Sequence, residues 1–148
     1  MANIKILGQY IKNLSFDIPN APQVFLNNKE KPNIAISVDI DAKKIANDAY
    51  EVTLKIKADA SAKEQKVFNC DISYCGIFAL SNIENENLEQ ILLVYCPNLV
   101  FPYLRRVISS TVSDGGFPPL MLEPIDFNAI YQKRKKVTEA APISETKN

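Results

Sequence analysis

The sequence predicts an α+β domain. Three observations predict it. Four segments in the first half alternate strictly between apolar and polar residues. The second half changes to helical spacing. Two long loops carry several prolines and yet stay apolar. Strands followed by helices, rather than strands and helices in alternation, is the α+β pattern.

The first strand covers Ile4 to Ile18, with an irregular start near Gly8. Tyr10, Leu14, Phe16 and Ile18 share one predicted face, and Asn13, Ser15 and Asp17 share the other. Pro19 and Pro22 each remove a backbone donor, so the strand ends there. Val24, Phe25 and Leu26 follow directly, where a solvated loop would be polar. Residues 19 to 32 are too long and too proline-rich for a hairpin loop, so a crossing connection is expected.

The second strand covers Asn33 to Asp41, with Ile34, Ile36, Val38 and Ile40 on one face. The third covers Tyr50 to Ala60, with Val52, Leu54, Ile56 and Ala58 inward and Glu51, Thr53, Lys55, Lys57 and Asp59 outward. The fourth covers Val67 to Phe78, with Phe68, Cys70, Ile72 and Tyr74 opposite Asn69, Asp71 and Ser73. Such alternation is the mark of antiparallel strands with one face covered. Short polar links make strands two to four a meander.

Asn85 to Tyr95 reads as a short helix, with Leu88, Ile91, Leu92 and Tyr95 at helical spacing, and Pro97 is expected to interrupt it. Pro102 can open a second helix running to about Ser113, with Leu104, Val107, Ile108, Thr111 and Val112 as its apolar stripe. Gly115 and Gly116 end it. The second apolar loop runs from Gly116 through Phe117, Pro118, Pro119, Leu120, Met121 and Leu122 to Pro124. A last helix begins with Asp126 as N-cap and closes on Lys133, Arg134, Lys135 and Lys136, which suit the negative end of its dipole. The chain thus divides into a folded domain over residues 1–136 and a polar, disordered tail over residues 137–148.

Composition excludes several functions. Histidine is absent, which removes the commonest general base and metal ligand. Cys70, Cys75 and Cys96 form no CxxC pair, and an odd count argues against a disulfide framework. No P-loop, GxGxxG or GxSxG is present. Asp39 and Asp41 are the nearest approach to paired carboxylates, and they lie on a polar strand face. Cys96 lacks a histidine to activate it. The expectation is no enzyme and no cofactor. Residues 1–130 carry 12 basic against 15 acidic residues, and residues 131–148 carry five against two. A mildly acidic body is a poor nucleic-acid binder, and the basic tail serves solubility or meets an acidic partner. No apolar run reaches the roughly 20 residues of a membrane span. The first residues lack a signal-peptide layout, so the expected location is the cytoplasm.

The two apolar loops are the remaining candidates. Loops of this kind plug a core, line a groove or form an oligomer contact. Proline stiffening and the pliable Met121 favour a surface that accepts many shapes.

The same residues resemble the SecB family of protein-export chaperones. Ser15-Phe16-Asp17-Ile18-Pro19-Asn20-Ala21-Pro22-Gln23-Val24-Phe25 is similar to the family's first-strand and crossover signature. Asp48 to Val52, Tyr74 to Phe78, Tyr95 to Tyr103 and Gly116 to Leu120 match in order, and the resemblance runs from about Ile4 to Lys136. It implies a four-stranded antiparallel sheet with helices on one side, assembled as a homotetramer, a dimer of dimers. It implies a cytoplasmic chaperone that holds unfolded precursor proteins and delivers them to the SecA ATPase, without ATP or metal of its own and without inserting into the membrane. The client groove falls to Val24, Phe25 and Leu26 facing Phe117, Leu120, Met121 and Leu122. The SecA-docking face falls to Asp17 and Asp71, with Asn13 and Asn69 at positions where relatives can carry an acid and a leucine. Cys70 and Ile72 match positions that matter for tetramer integrity. The basic tail resembles a second SecA contact. A SecB-like chaperone dedicated to one antitoxin and a small hydrophobic-ligand carrier are the competing expectations.

Overall fold

The structure is a computed structural model that describes residues 3–27 and 31–140. Four long strands, β1 (Asn3–Asp17), β2 (Asn33–Ala46), β3 (Ala49–Ala62) and β4 (Gln65–Ser81), form one antiparallel sheet in the order β1-β4-β3-β2. Because β1 and β2 lie at opposite edges, the chain between them leads from one edge to the other. That segment contains a short helix, α1 (Gln23–Asn27), where only loop was expected. Pro22 stands just before it, and Val24 N–H donates to the Asn20 carbonyl at 2.9 Å. Proline fits the first turn because it lacks a donor that would go unused there. The Asn20 side chain also donates to the Lys66 carbonyl at 2.9 Å, tying the segment to the start of β4.

The hairpin turns use left-handed residues. Asp48 (φ 60°) closes β2 on β3, and Lys63 and Glu64 (φ 49° and 64°) close β3 on β4. Two consecutive positive φ values match the right-handed twist of paired strands.

One face of the sheet is the core side. Val52, Leu54, Ile56, Ala58, Phe68, Cys70, Ile72 and Phe78 are buried there. Asn85 to Asp114 is a continuous helical stretch, not two helices: α2 (Asn85–Gln90), a π-helical turn (Ile91–Tyr95) and α3 (Cys96–Asp114). Pro97 does not break it. The wider turn just before Pro97 relieves the crowding that a proline ring imposes on the preceding turn. The Asn98 amide recovers the Val94 carbonyl at 3.1 Å. Cys96, Val100, Leu104, Ile108 and Val112 form its buried stripe. By length and composition this stretch could cross a membrane, but 44% of its most apolar window is buried inside the fold. Gly76 on β4 permits the approach, since a Cβ there would sit 3.0 Å from Val100. Helix α4 (Phe127–Ala140) starts on Asp126, whose carboxylate accepts from Ala129 N–H at 3.0 Å. It continues to Ala140, four residues beyond the expected boundary at residue 136, and residues 141–148 lie outside the described residues.

The expected face of Tyr10 is corrected. Register shifts between Ile6 and Gly8 and between Ile11 and Asn13 place Ile11 opposite Tyr74 and Tyr10 opposite Cys75. A bulge adds one residue and reverses the alternation beyond it. Tyr10 therefore lies on the outer face, where its hydroxyl donates to Glu51 across β4. Lys12 joins Glu51 at 3.1 Å, and Thr53 pairs with the buried Cys75 thiol at 3.3 Å. The Tyr10 hydrogen bond, opposed by burial and helped by Lys12, holds the Glu51 carboxyl below its ordinary range. A lowered carboxyl pKa contributes stability above the unfolded-state value, and that contribution is lost as pH falls through the folded value. Tyr10→Phe should cost about 1–2 kcal/mol at neutral pH. Urea unfolding should show that difference shrinking near pH 3, below the ordinary carboxylate range; a difference independent of pH would remove Glu51 as its cause.

Candidate functional site: an apolar cleft and a polar sheet face

Four phenylalanine rings form a contact chain at the cleft, and three of them, Phe25, Phe68 and Phe117, line it. Phe16, at the end of β1, lies 5.5 Å from Phe68 on β4. Phe68 lies 5.1 Å from Phe117, in the loop after α3, and Phe117 stacks at 5.0 Å on Phe25 of α1. Gly115 and Gly116 admit this chain of rings. A Cβ on Gly115 would fall 2.3 Å from the Phe16 ring, and Gly116 adopts φ +97° beside the Phe25 ring. Only glycine adopts that backbone without strain. The helix end is closed by Gly115 N–H on the Thr111 carbonyl and Gly116 N–H on the Ser113 carbonyl, at 2.9 and 3.0 Å.

The resulting cleft measures about 590 Å³. Of the seven residues expected in a groove, Val24, Phe25, Phe117 and Leu120 line it. Val24 is buried and forms floor, whereas Phe25 is 47% exposed. The structure does not bring the other three to it. Leu122 is buried in the core, Leu26 is 73% exposed and Met121 is 64% exposed, with the Met121 sulfur accepting from the Ser109 hydroxyl at 3.3 Å. Lys31, Pro32, Ile34, Phe68, Val112, Pro118 and Pro119 complete the lining without having been named for it from the sequence. Ile34 and Phe68 looked like ordinary inward strand residues. Their signal would have been adjacency to two apolar loops, which appears only once the sheet order is known.

The outer sheet face carries the second set. Asp17 pairs with Asn69, and Asp71 pairs with Ser15, so the two carboxylates lie diagonally on neighbouring strands. Asp17, Asn69 and Asp71 line one shallow depression, and Asn13 and Asp71 line the next, with Lys57 in both. Lys55, Lys66, Asp39 and Asp59 surround them, so the face mixes both signs of charge. The Asn69 amide, oriented to satisfy both its atoms, donates to Asp59 at 2.9 Å. The Oδ1 atom of Asp71 is buried without a hydrogen-bond partner. Cys70 and Ile72 lie on the opposite, core face, at 0% and 2% exposure. Burial pushes the Cys70 thiol up to about 11 and the Cys96 thiol up to about 12, so both are protonated at neutral pH.

A long antiparallel sheet backed by one continuous helical stretch, with an open apolar cleft between two proline-stiffened loops, defines an α+β domain with an exposed apolar cleft. The chain belongs to the SecB family of protein-export chaperones: residues 1–138 match the family model "Preprotein translocase subunit SecB". It is 40% identical over 143 residues to the protein-export protein SecB of Parvibaculum lavamentivorans, covering 96% of this chain and 85% of that protein. It is 41% identical over 144 residues to the SecB of Maricaulis maris, covering 97% and 84%. Among solved structures, the fold is similar to the SecB-like chaperone of Mycobacterium tuberculosis in complex with an antitoxin peptide. That match has a TM-score of 0.69 at 14% identity and covers 82% of this chain and 90% of that one.

The ring chain yields a stability test. Gly115→Ala should destabilise by about 1–3 kcal/mol, the range for overpacking. Phe16→Leu in the same chain should recover part of that loss in a double-mutant cycle; strictly additive losses would show that the Phe16 contact is not the cause.

Proposed function

We propose that this protein holds unfolded precursor polypeptides in the cleft and delivers them to the SecA ATPase, in the cytoplasm, as a homotetramer and without ATP. The observation that carries this reading is an open apolar cleft whose walls are loops braced by Pro32, Pro118 and Pro119. Unfolded chains expose apolar side chains, and each large one transferred into such a cleft contributes about 1.5–3 kcal/mol. Part of that is offset by ordering the client, which keeps the hold reversible. No fixed pocket selects a sequence, so many clients fit. Four copies in one assembly let a long chain engage several clefts and gain avidity.

Assembly is supported by apolar residues left at one side of the monomer. Ile6, Leu7, Ile11 and Leu14 on the β1 edge strand, and Tyr103 on α3, are each 37% or more exposed. Docking is supported by the outer face. The buried, unpartnered Asp71 oxygen and the neighbouring Asp17 are acceptors suited to basic groups on SecA. Cys70 and Ile72 lie within the core, so they support assembly by keeping the sheet in register rather than by contact.

A second reading has one observation in its favour: the structural neighbour from M. tuberculosis holds an antitoxin peptide. A client restricted to one antitoxin would leave general aggregation unaffected.

Light scattering decides between these. A sub-stoichiometric amount of the pure protein should suppress aggregation of a diluted, chemically unfolded protein with no nucleotide present. A monomer that leaves aggregation unchanged would overturn the reading. Phe25→Ser or Leu120→Ser should weaken client binding about tenfold, as expected for one large apolar contact, and Met121→Ser should change it little; titration of a labelled unfolded client checks all three. Asp17→Lys with Asp71→Lys should weaken SecA binding about tenfold or more while client holding persists; equal loss of both activities would point to misfolding. Ile11→Asp or Tyr103→Asp should shift the assembly to smaller species in analytical ultracentrifugation, and an unchanged mass would place the interface elsewhere.

A further inference from the structure

Among the described residues the outer edge of β2 has no strand partner, and it is open at one end and closed at the other. Arg134 on α4 donates from Nη1 to the Ile40 carbonyl at 2.9 Å. A carbonyl bound by a side chain of α4 points off the free edge, away from β3. Pairing of β2 with β3 is regular from Asn33 to Lys44. Strand geometry alternates with period two, so Ile34, Ile36 and Val38 present their backbone groups in the same direction as Ile40. The end near Asn33 adjoins the cleft: Lys31, Pro32 and Ile34 line it, and the Ile34 and Ile36 side chains are exposed. The far end is covered. Ile40 is buried, and Asp41 and Ala42 share a depression with Leu88, Glu89, Leu92 and Arg134.

We propose that Arg134 is a specificity-determining residue that ends the open edge at Ile40, so that an extended client segment leaving the cleft pairs with Ile34 to Val38 and no further. This rests on the reading of the cleft as a holding site. The occupant is extended polypeptide, with apolar side chains in the cleft and backbone groups on the edge. An unpaired edge is a template for unlimited strand addition. The guanidinium already occupies the next acceptor along, and Leu88, Glu89 and Leu92 stand beside the strand beyond it. The bound segment is therefore short, which keeps each contact weak and tolerant of sequence.

Amide hydrogen exchange on the full chain tests this, with reduced and alkylated α-lactalbumin as a permanently unfolded probe. Adding the probe should slow exchange at Ile34, Ile36 and Val38 and leave Ile40 and Ala42 unchanged. In Arg134→Met, which keeps the aliphatic stem, probe-dependent slowing should spread to Ile40, and the probe should leave about fivefold more slowly, as for one added hydrogen bond. Slowing that already reaches Ile40 in the unsubstituted protein overturns the proposal whatever the variant does. So does an unchanged boundary in Arg134→Met. If the probe is held and no β2 amide is slowed, the edge inference falls and the holding function stands. If the probe is not held at all, both fall.

Discussion

The placement of both cleft walls depends on one contact chain, Phe16–Phe68–Phe117–Phe25, whose successive ring centroids lie 5.0–5.5 Å apart. Each ring comes from a different part of the molecule: the end of β1, the inner strand β4, the loop after α3, and the helix in the edge-to-edge segment. Sheet and helices alone would leave those two loops at no defined separation. The rings set it, and offset aromatic pairs add about 0.5–1.5 kcal/mol each beyond the area they bury. Gly115 and Gly116 make the chain possible, because side chains there would occupy the space of Phe16 and Phe25. The same two residues terminate α3. One dipeptide therefore ends the helix and spaces the cleft.

The two faces of β4 divide the labour. Its inner face, from Phe68 to Phe78, is buried under the helical layer, and Gly76 lets Val100 come close. Its outer face is polar but not fully solvated, because Tyr10 and Lys12 reach across it to Glu51. This cross-strand network fastens the edge strand β1 to β3 at one end of the sheet. At the other end, Asp71 keeps a buried oxygen without a partner.

The sheet was legible because period-two alternation is a property of each strand alone. Val52, Leu54, Ile56 and Ala58 could be assigned inward without knowledge of any neighbour. Tyr10 could not, because a bulge is defined by pairing between two strands. Continuity of the helix through Pro97 was hidden for a related reason: a proline forbids the regular turn, and the π-helical turn that accommodates it leaves no periodic trace. In the loops the composition was informative and the orientation was not. Apolar residues on irregular backbone have no period, so Leu122 in the core and Met121 at the surface look alike in sequence. The carboxylates Asp17 and Asp71, placed on one polar face by alternation, line one depression. The lysines interleaved with them were visible residue by residue, but their mixing with the acids emerges only from the strand order.

A holding site must bury apolar surface when occupied and resist collapse when empty. These demands conflict, because a flexible apolar loop would fold onto its own floor. In the proposed holding site, separating floor from walls reconciles them. Val24, Phe68 and Val112 form a floor that is already core and does not depend on a client. The walls contain Pro32, Pro118 and Pro119, whose fixed φ limits how far they can move inward. Phe25 and Leu120 then remain partly exposed without a large entropic advantage in hiding them. At about 25 cal/mol per Å², the apolar area left open is a standing cost in water. On the proposed function, that cost is relieved when a client side chain enters, so the same exposure that weakens the empty fold would drive the binding.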